Sequence, residues 1–202
     1  MRVRLVHGIW NARTWLLPFG RHLRRHGLQP DLFGYASVFG RPEQAAERLA
    51  EALRRDPVPY LVGHSLGGLV ALEALRLDPS LPVERVVCLG SPLRGSRVAG
   101  AVGARPALAP LLGGSRTLLC QGCAPWDGRA EVGVIAGSHP RGVGGWFAAM
   151  DPASDGTVNL EETRLPGLAD HCEVPASHTG LALSAEAARQ AARFLREGRF
   201  GR

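Results

Sequence analysis

Six residues, Gly63-His64-Ser65-Leu66-Gly67-Gly68, constrain this chain more than any other stretch. They form a G-x-S-x-G pattern between two apolar segments. Before them, Val58 to Gly63 reads as a short buried strand. After them, Leu66 to Leu77 reads as a helix that is apolar on nearly every face. A strand that passes into a helix through one residue must turn very sharply. The backbone of the central Ser is then strained and its hydroxyl stands clear. A side chain two residues to either side would strike neighbouring backbone, which accounts for Gly63 and Gly67. The same turn sets Ser65 at a helix N-terminus, where unpaired N–H groups favour developing negative charge. With 26 Gly in the chain, the bare pattern could belong to a turn with an inert Ser; the flanking strand and helix argue against that.

The rest of the chain repeats the alternation. Strands are expected over residues 2–7, 29–35, 85–89, 131–136 and 170–174, in addition to 58–63. Amphipathic helices are expected over Asn11–Arg25, weakened or bent by Pro18, and over Pro42–Arg55, where Pro42 suits the first turn. Ala185–Glu197 closes the chain as a helix with Ser184 as its N-cap. This order predicts one α/β domain over residues 1–202, with a mainly parallel central sheet and helices on both faces. Residues 93–128 break the rhythm. They are rich in Gly, Pro, Ala and Leu, compatible with a helix plus loop over the C-terminal edge of the sheet, and an ordinary core helix is favoured over a mobile lid.

Composition excludes several classes. No run of 18 or more apolar residues exists, so no membrane-spanning helix is expected. The N-terminus, Met1 to Gly8, is too short and polar for a secretory signal, which makes the cytoplasm the expected compartment. All 24 basic residues are Arg, against 18 acids, a net charge of +6. That balance raises nucleic acid as a partner. The Arg are spread from Arg2 to Arg202 with no stripe of interleaved aromatics, so the reading is no nucleic acid and at most weak contact with an anionic interface or substrate. Cys88 lies in an apolar strand. Cys120-Gln121-Gly122-Cys123 has a C-x-x-C spacing, but no second pair completes a zinc site and no helix follows it, so no metal is expected.

A Ser hydroxyl needs a base within hydrogen-bond reach, and the base needs an orienting acid. In sites built on this kind of turn the chain order is Ser, acid, His. His178, on the loop after the last strand, is the favoured base, with His139 the alternative. His64 adjoins the Ser, but its place on the turn directs it away. Two acids fit the order, Asp151 and Asp155. The oxyanion of an acyl-transfer intermediate needs two backbone N–H donors. Leu66, directly after the Ser, and Ile9, on the loop after the first strand beside Gly8, are the candidates. Trp10, Trp146, Phe147 and the Leu-rich stretch 106–112 are candidates for an apolar substrate pocket, though each also reads as ordinary core.

Read together, these segments resemble small bacterial lipases and esterases of the α/β-hydrolase superfamily. Leu5 to Ile9 looks like the family's oxyanion strand and loop, and Gly63 to Gly68 like a lipase-type elbow. Gly90-Ser91-Pro92-Leu93-Arg94-Gly95-Ser96 is similar to a segment following the next strand, with Leu93 where many relatives carry His. Gly133 to Gly137 resembles the strand before the acid loop. Asp155-Gly156-Thr157-Val158 and Ser177-His178-Thr179-Gly180 resemble the acid and base segments. The resemblance implies a minimal α/β-hydrolase fold that opens at the family's third strand and has no large cap domain. It implies Ser65, Asp155 and His178 as a triad, hydrolysis of a carboxylic ester, and no cofactor. A thioesterase or amidase with the same triad, or a non-catalytic binding protein of this fold, are the alternatives.

Overall fold

A computed structural model describes residues 1–201. Its centre is a six-stranded sheet in which every pairing is parallel. In chain order the strands and helices are β1 (Arg2–Val6), α1 (Leu17–Arg25), β2 (Gln29–Phe33), α2 (Pro42–Arg55), β3 (Tyr60–His64), α3 (Leu66–Leu77), β4 (Arg85–Leu89), α4 (Arg97–Gly103), α5 (Arg116–Gln121), β5 (Glu131–Gly137), β6 (Asp170–Val174), the single turn α6 (His178–Leu181) and α7 (Ala185–Glu197). The sheet order is β2-β1-β3-β4-β5-β6, so β3 lies in the middle and carries Ser65 at its C-terminal end.

Strand periodicity explains the two layers. Val86 and Cys88 of β4 point to one face, Val87 and Leu89 to the other. The first face is covered by α2 and α3 and the second by α1 and α7. Burial on both faces makes the strands read as near-continuous apolar runs. Gly133 has its own reason: a Cβ there would lie 2.6 Å from the Phe194 ring, so a glycine lets α7 seat directly on β5.

The helices over 42–55, 66–77 and 185–197 have the boundaries expected from their patterns. Ser184 caps α7 by accepting from the Ala187 N–H at 3.1 Å. The first helix differs. Residues 13–16 form a 3₁₀ turn and α1 begins at Leu17, so Pro18 sits in the first turn, where its missing N–H costs nothing, and neither bends nor weakens a longer helix. Residues 93–128 hold two short helices and two 3₁₀ turns rather than one core helix, because Gly and Pro interrupt every apolar run. No helix among the described residues is long and apolar enough to cross a membrane.

Candidate active site

Because all six strands are parallel, the loops leaving their C-terminal ends gather along one edge. Ser65 stands at the middle of that edge. Its backbone has φ 54° and ψ −123°, a conformation strained for any residue with a Cβ. The glycines around it are dictated by contact. A Cβ on Gly63 would lie 2.4 Å from the Gly68 nitrogen, and one on Gly67 would lie 2.2 Å from the Val6 oxygen. The chain can therefore turn here only with glycine two residues to either side. The Ser65 N–H donates to the Leu89 carbonyl at 2.9 Å, tying the turn to β4.

His178 and Asp155 meet beside this turn. The His178 Nδ1–H donates to Asp155 Oδ2 at 2.7 Å. The carboxylate is almost wholly buried, and its other oxygen accepts from the Thr157 N–H at 2.9 Å and the Val158 N–H at 2.7 Å. The His178 backbone N–H donates to the Asp155 carbonyl at 2.9 Å, so the two residues are fixed by main chain as well as side chain. Burial pushes the His178 imidazole towards neutrality, but the adjacent Asp155 charge and its hydrogen bond outweigh this and raise its pKa above the ordinary value. Among the described residues the Ser65 hydroxyl forms no hydrogen bond, to His178 or to any other group.

His64 turns away from the Ser and supports the His178 loop. Its Nε2–H donates to the His178 carbonyl at 3.1 Å, and the two rings lie 5.0 Å apart. Burial and the neighbouring His178 push its pKa down to about 3, which keeps it neutral. Asp151 stands elsewhere: it is about half exposed and pairs with Arg97 at 3.5 Å. His139 is exposed on the loop after β5.

The loop after β1 presses on the turn. A Cβ on Gly8 would lie 3.0 Å from the Ser65 Cβ, so a glycine lets the backbone at Ile9 approach. Neither the Ile9 nor the Leu66 N–H donates a backbone hydrogen bond among the described residues. Sequence reasoning missed two residues here: Tyr35 holds this loop, and Glu162 ties residues 159–162 to the start of α4. Tyr35 stacks on His7 with ring centroids 4.5 Å apart, and its buried hydroxyl donates to the His7 carbonyl at 2.8 Å. Glu162 is the other: it accepts from the Asn159 N–H and the Arg97 N–H, both at 2.9 Å, joining the acid loop to the start of α4. The Asn-x-x-Glu spacing at 159–162 is a capping-box signal visible in the sequence, whereas nothing local marks Tyr35.

The pocket candidates separate. Trp10 adopts φ 60° and its indole N–H donates to the Leu111 carbonyl at 2.7 Å, so it bridges the loop after β1 to the 93–128 segment. Trp146 is 79% exposed. Phe147, Leu108 and Leu112 pack into or against the core, while Leu111 is exposed. The segment itself is pinned: the Ser115 hydroxyl donates to the Ser37 carbonyl at 2.9 Å, and the Gly114 N–H to the Val38 carbonyl at 3.2 Å.

The cysteines take no part. Burial raises the Cys88 and Cys120 thiols and pushes Cys123 up to about 12. Such thiols remain protonated and are poor nucleophiles and ligands. No group of three His, Cys, Asp or Glu arranged to hold a metal occurs among the described residues.

The fold is similar to that of a lipase from Bacillus licheniformis in its mature form, with TM-score 0.73 and 18% identity over 96% of this chain and 90% of that one. It is similar to a metagenomic carboxyl esterase, with TM-score 0.68 and 18% identity over 98% of this chain and 76% of that one. A thioesterase of the prodiginine biosynthetic pathway in Streptomyces coelicolor aligns with TM-score 0.59 and 20% identity over 98% of this chain and 90% of that one. At these identities the likeness is one of fold. None of the curated proteins matches the chain. The model of the alpha/beta hydrolase family matches residues 5–197, nearly the full length, and the chain belongs to that family.

Proposed function

We propose that this protein, acting as a single domain, is a serine hydrolase that cleaves carboxylic esters with an apolar acyl group through an acyl-enzyme. The observation that carries the reading is the 2.7 Å contact between the buried Asp155 and His178 beside a Ser held in strained backbone at a helix N-terminus. A structural loop has no need of that strain, nor of a buried carboxylate whose acceptor capacity is spent on one imidazole and two main-chain N–H groups.

In this reading Ser65 Oγ attacks the ester carbonyl while His178 Nε2 takes its proton. The Ile9 and Leu66 N–H groups hold the oxyanion of the tetrahedral intermediate. His178 then gives the proton to the departing alcohol, leaving the acyl group on Ser65. Water, deprotonated by His178, attacks the acyl-enzyme and releases the acid. Asp155 holds the imidazole in the tautomer with its proton on Nδ1 and stabilises the imidazolium. Trp10, beside the oxyanion loop, contacts the substrate. A thioester would pass through the same steps with a thiol as leaving group, and the fold likeness to a thioesterase keeps that as the second reading.

The test is a p-nitrophenyl ester series of increasing acyl length, soluble and emulsified, against the parent and Ser65→Ala. Turnover of soluble esters by the parent and its loss in Ser65→Ala are expected. Equal turnover by the two would end the reading.

A further inference from the structure

The positive charge of this chain is not spread evenly once it is folded. Five segments leave the C-terminal ends of strands at the Ser65 edge: residues 7–16, 34–41, 90–116, 138–150 and 175–184. They contain seven Arg and not one Asp or Glu. The remainder of the chain carries 17 Arg against 18 acids and is close to neutral. Most of the net +6 therefore resides at the edge that holds Ser65. Two acids just beyond these segments offset part of it: Asp151 is paired with Arg97, and Asp155 is buried against His178. Arg13, Arg41, Arg94, Arg105, Arg116 and Arg141 are exposed, and among the described residues none lies within ion-pair distance of a carboxylate.

The same segments carry large apolar side chains in water. Phe39 is 99% exposed, Trp146 79% and Trp10 57%, with Leu111 and Val143 beside them in exposure. Contacts draw these loops together: Trp10 bonds to the Leu111 carbonyl, residues 37–40 are pinned to 113–115, and Arg105 reaches the Phe147 carbonyl at 3.5 Å. Gly144 packs on Gly156, next to Asp155. Exposed aromatic rings among unpaired Arg suit a boundary that is anionic outside and apolar beneath.

We infer that this edge docks on a lipid surface bearing anionic headgroups, with Phe39 and Trp146 entering the acyl boundary and Arg13, Arg41, Arg105 and Arg141 meeting the headgroups. The inference rests on Proposed function only in that docking presents the membrane to Ser65. A double-stranded nucleic acid would use the Arg but leave Phe39 and Trp146 idle.

The experiment measures binding of the Ser65→Ala chain to vesicles of phosphatidylcholine alone and to vesicles containing phosphatidylglycerol, by flotation at low and physiological salt. Binding to the anionic vesicles alone, weakening with salt, is expected. Arg41→Glu with Arg141→Glu should weaken it at least tenfold, from roughly fivefold per Arg near an anionic surface. Phe39→Ser with Trp146→Ser should weaken it by a similar factor. Both pairs, placed in the chain with Ser65 intact, should leave hydrolysis of a soluble short ester unchanged. Equal binding to both vesicle types, no binding, or binding indifferent to Phe39 and Trp146 and matched by a DNA duplex would each overturn the inference. Loss of docking with soluble ester hydrolysis intact would sink the surface alone; docking without Ser65-dependent hydrolysis would sink the catalytic reading alone.

Discussion

Replacing Asp155 by Asn separates what the carboxylate does for the fold from what it does for His178. Oδ1 accepts two main-chain N–H groups, from Thr157 and Val158. In the Asn variant the amide oxygen must stay there, since an NH₂ would face two donors. The NH₂ then takes the place of Oδ2, 2.7 Å from His178 Nδ1. A donor now confronts the ring, so the imidazole must put its lone pair on Nδ1 and its proton on Nε2. That tautomer cannot take a proton from Ser65. A tautomer reversal of this kind costs triad hydrolases about 10⁴ in kcat, or roughly 5.5 kcal/mol of barrier. Stability should change by no more than about 2 kcal/mol, because one charge-assisted hydrogen bond becomes a neutral one. Asp155→Ala should be worse for the fold, since it also strands two buried N–H groups. The assays are ester turnover and urea unfolding on the same preparations. There is a second readout. In the parent, kcat/KM should fall as pH drops through the raised His178 pKa. Removing the carboxylate leaves burial, which lowers that pKa, so the acid limb of the residual activity should move to lower pH. Activity within tenfold of the parent, or an unmoved acid limb, would refute the role given to Asp155.

Gly67→Ala places a Cβ 2.2 Å from the Val6 oxygen and 2.6 Å from the His7 oxygen. Both are main-chain atoms, so no rotamer change relieves the overlap, and a loss of about 3 kcal/mol is expected in urea unfolding; a change under 0.5 kcal/mol would contradict the close approach of α3 to β1. Stability should also fall as pH is lowered from 6.5 to 4.5. His64 and His171 have folded pKa values pushed down to about 3 and about 4, so the unfolded chain binds more protons in that window. The fully buried His64 contributes on the order of 2–3 kcal/mol, and the partly exposed His171 less. The raised His178 pKa acts above this window: its contribution is complete below 6.5 and is lost as pH rises through the folded value. A urea midpoint that stays flat between pH 6.5 and 4.5 would show that neither ring is held neutral.

Much of this architecture is legible along the chain because it is local. The helix over 66–77 follows from unbroken apolar residues after a glycine-framed turn, and the helix over 185–197 from a Ser cap and a clean stripe. Pro18 misleads because the same residue bends a helix from its interior and starts one from its first turn. The 93–128 segment misleads because its conformation depends on what receives it, namely Val38, Gly40 and Trp10. Tyr35 carries no local mark: its role exists only because β2 pairs with β1 and brings its end beside His7. The charge is the clearest case. Spread along the sequence, the Arg look like a general surface property, and only the parallel sheet shows that five Arg-bearing or neutral stretches without acids share one edge.

The most direct test of the account is covalent. A fluorophosphonate traps a nucleophile activated by a neighbouring base, and its adduct can be mapped by peptide mass. One adduct per chain, on Ser65, is expected, lost in Ser65→Ala and slowed by orders of magnitude in His178→Ala. An unlabelled chain that still hydrolyses esters, or an adduct on any other serine, would contradict it.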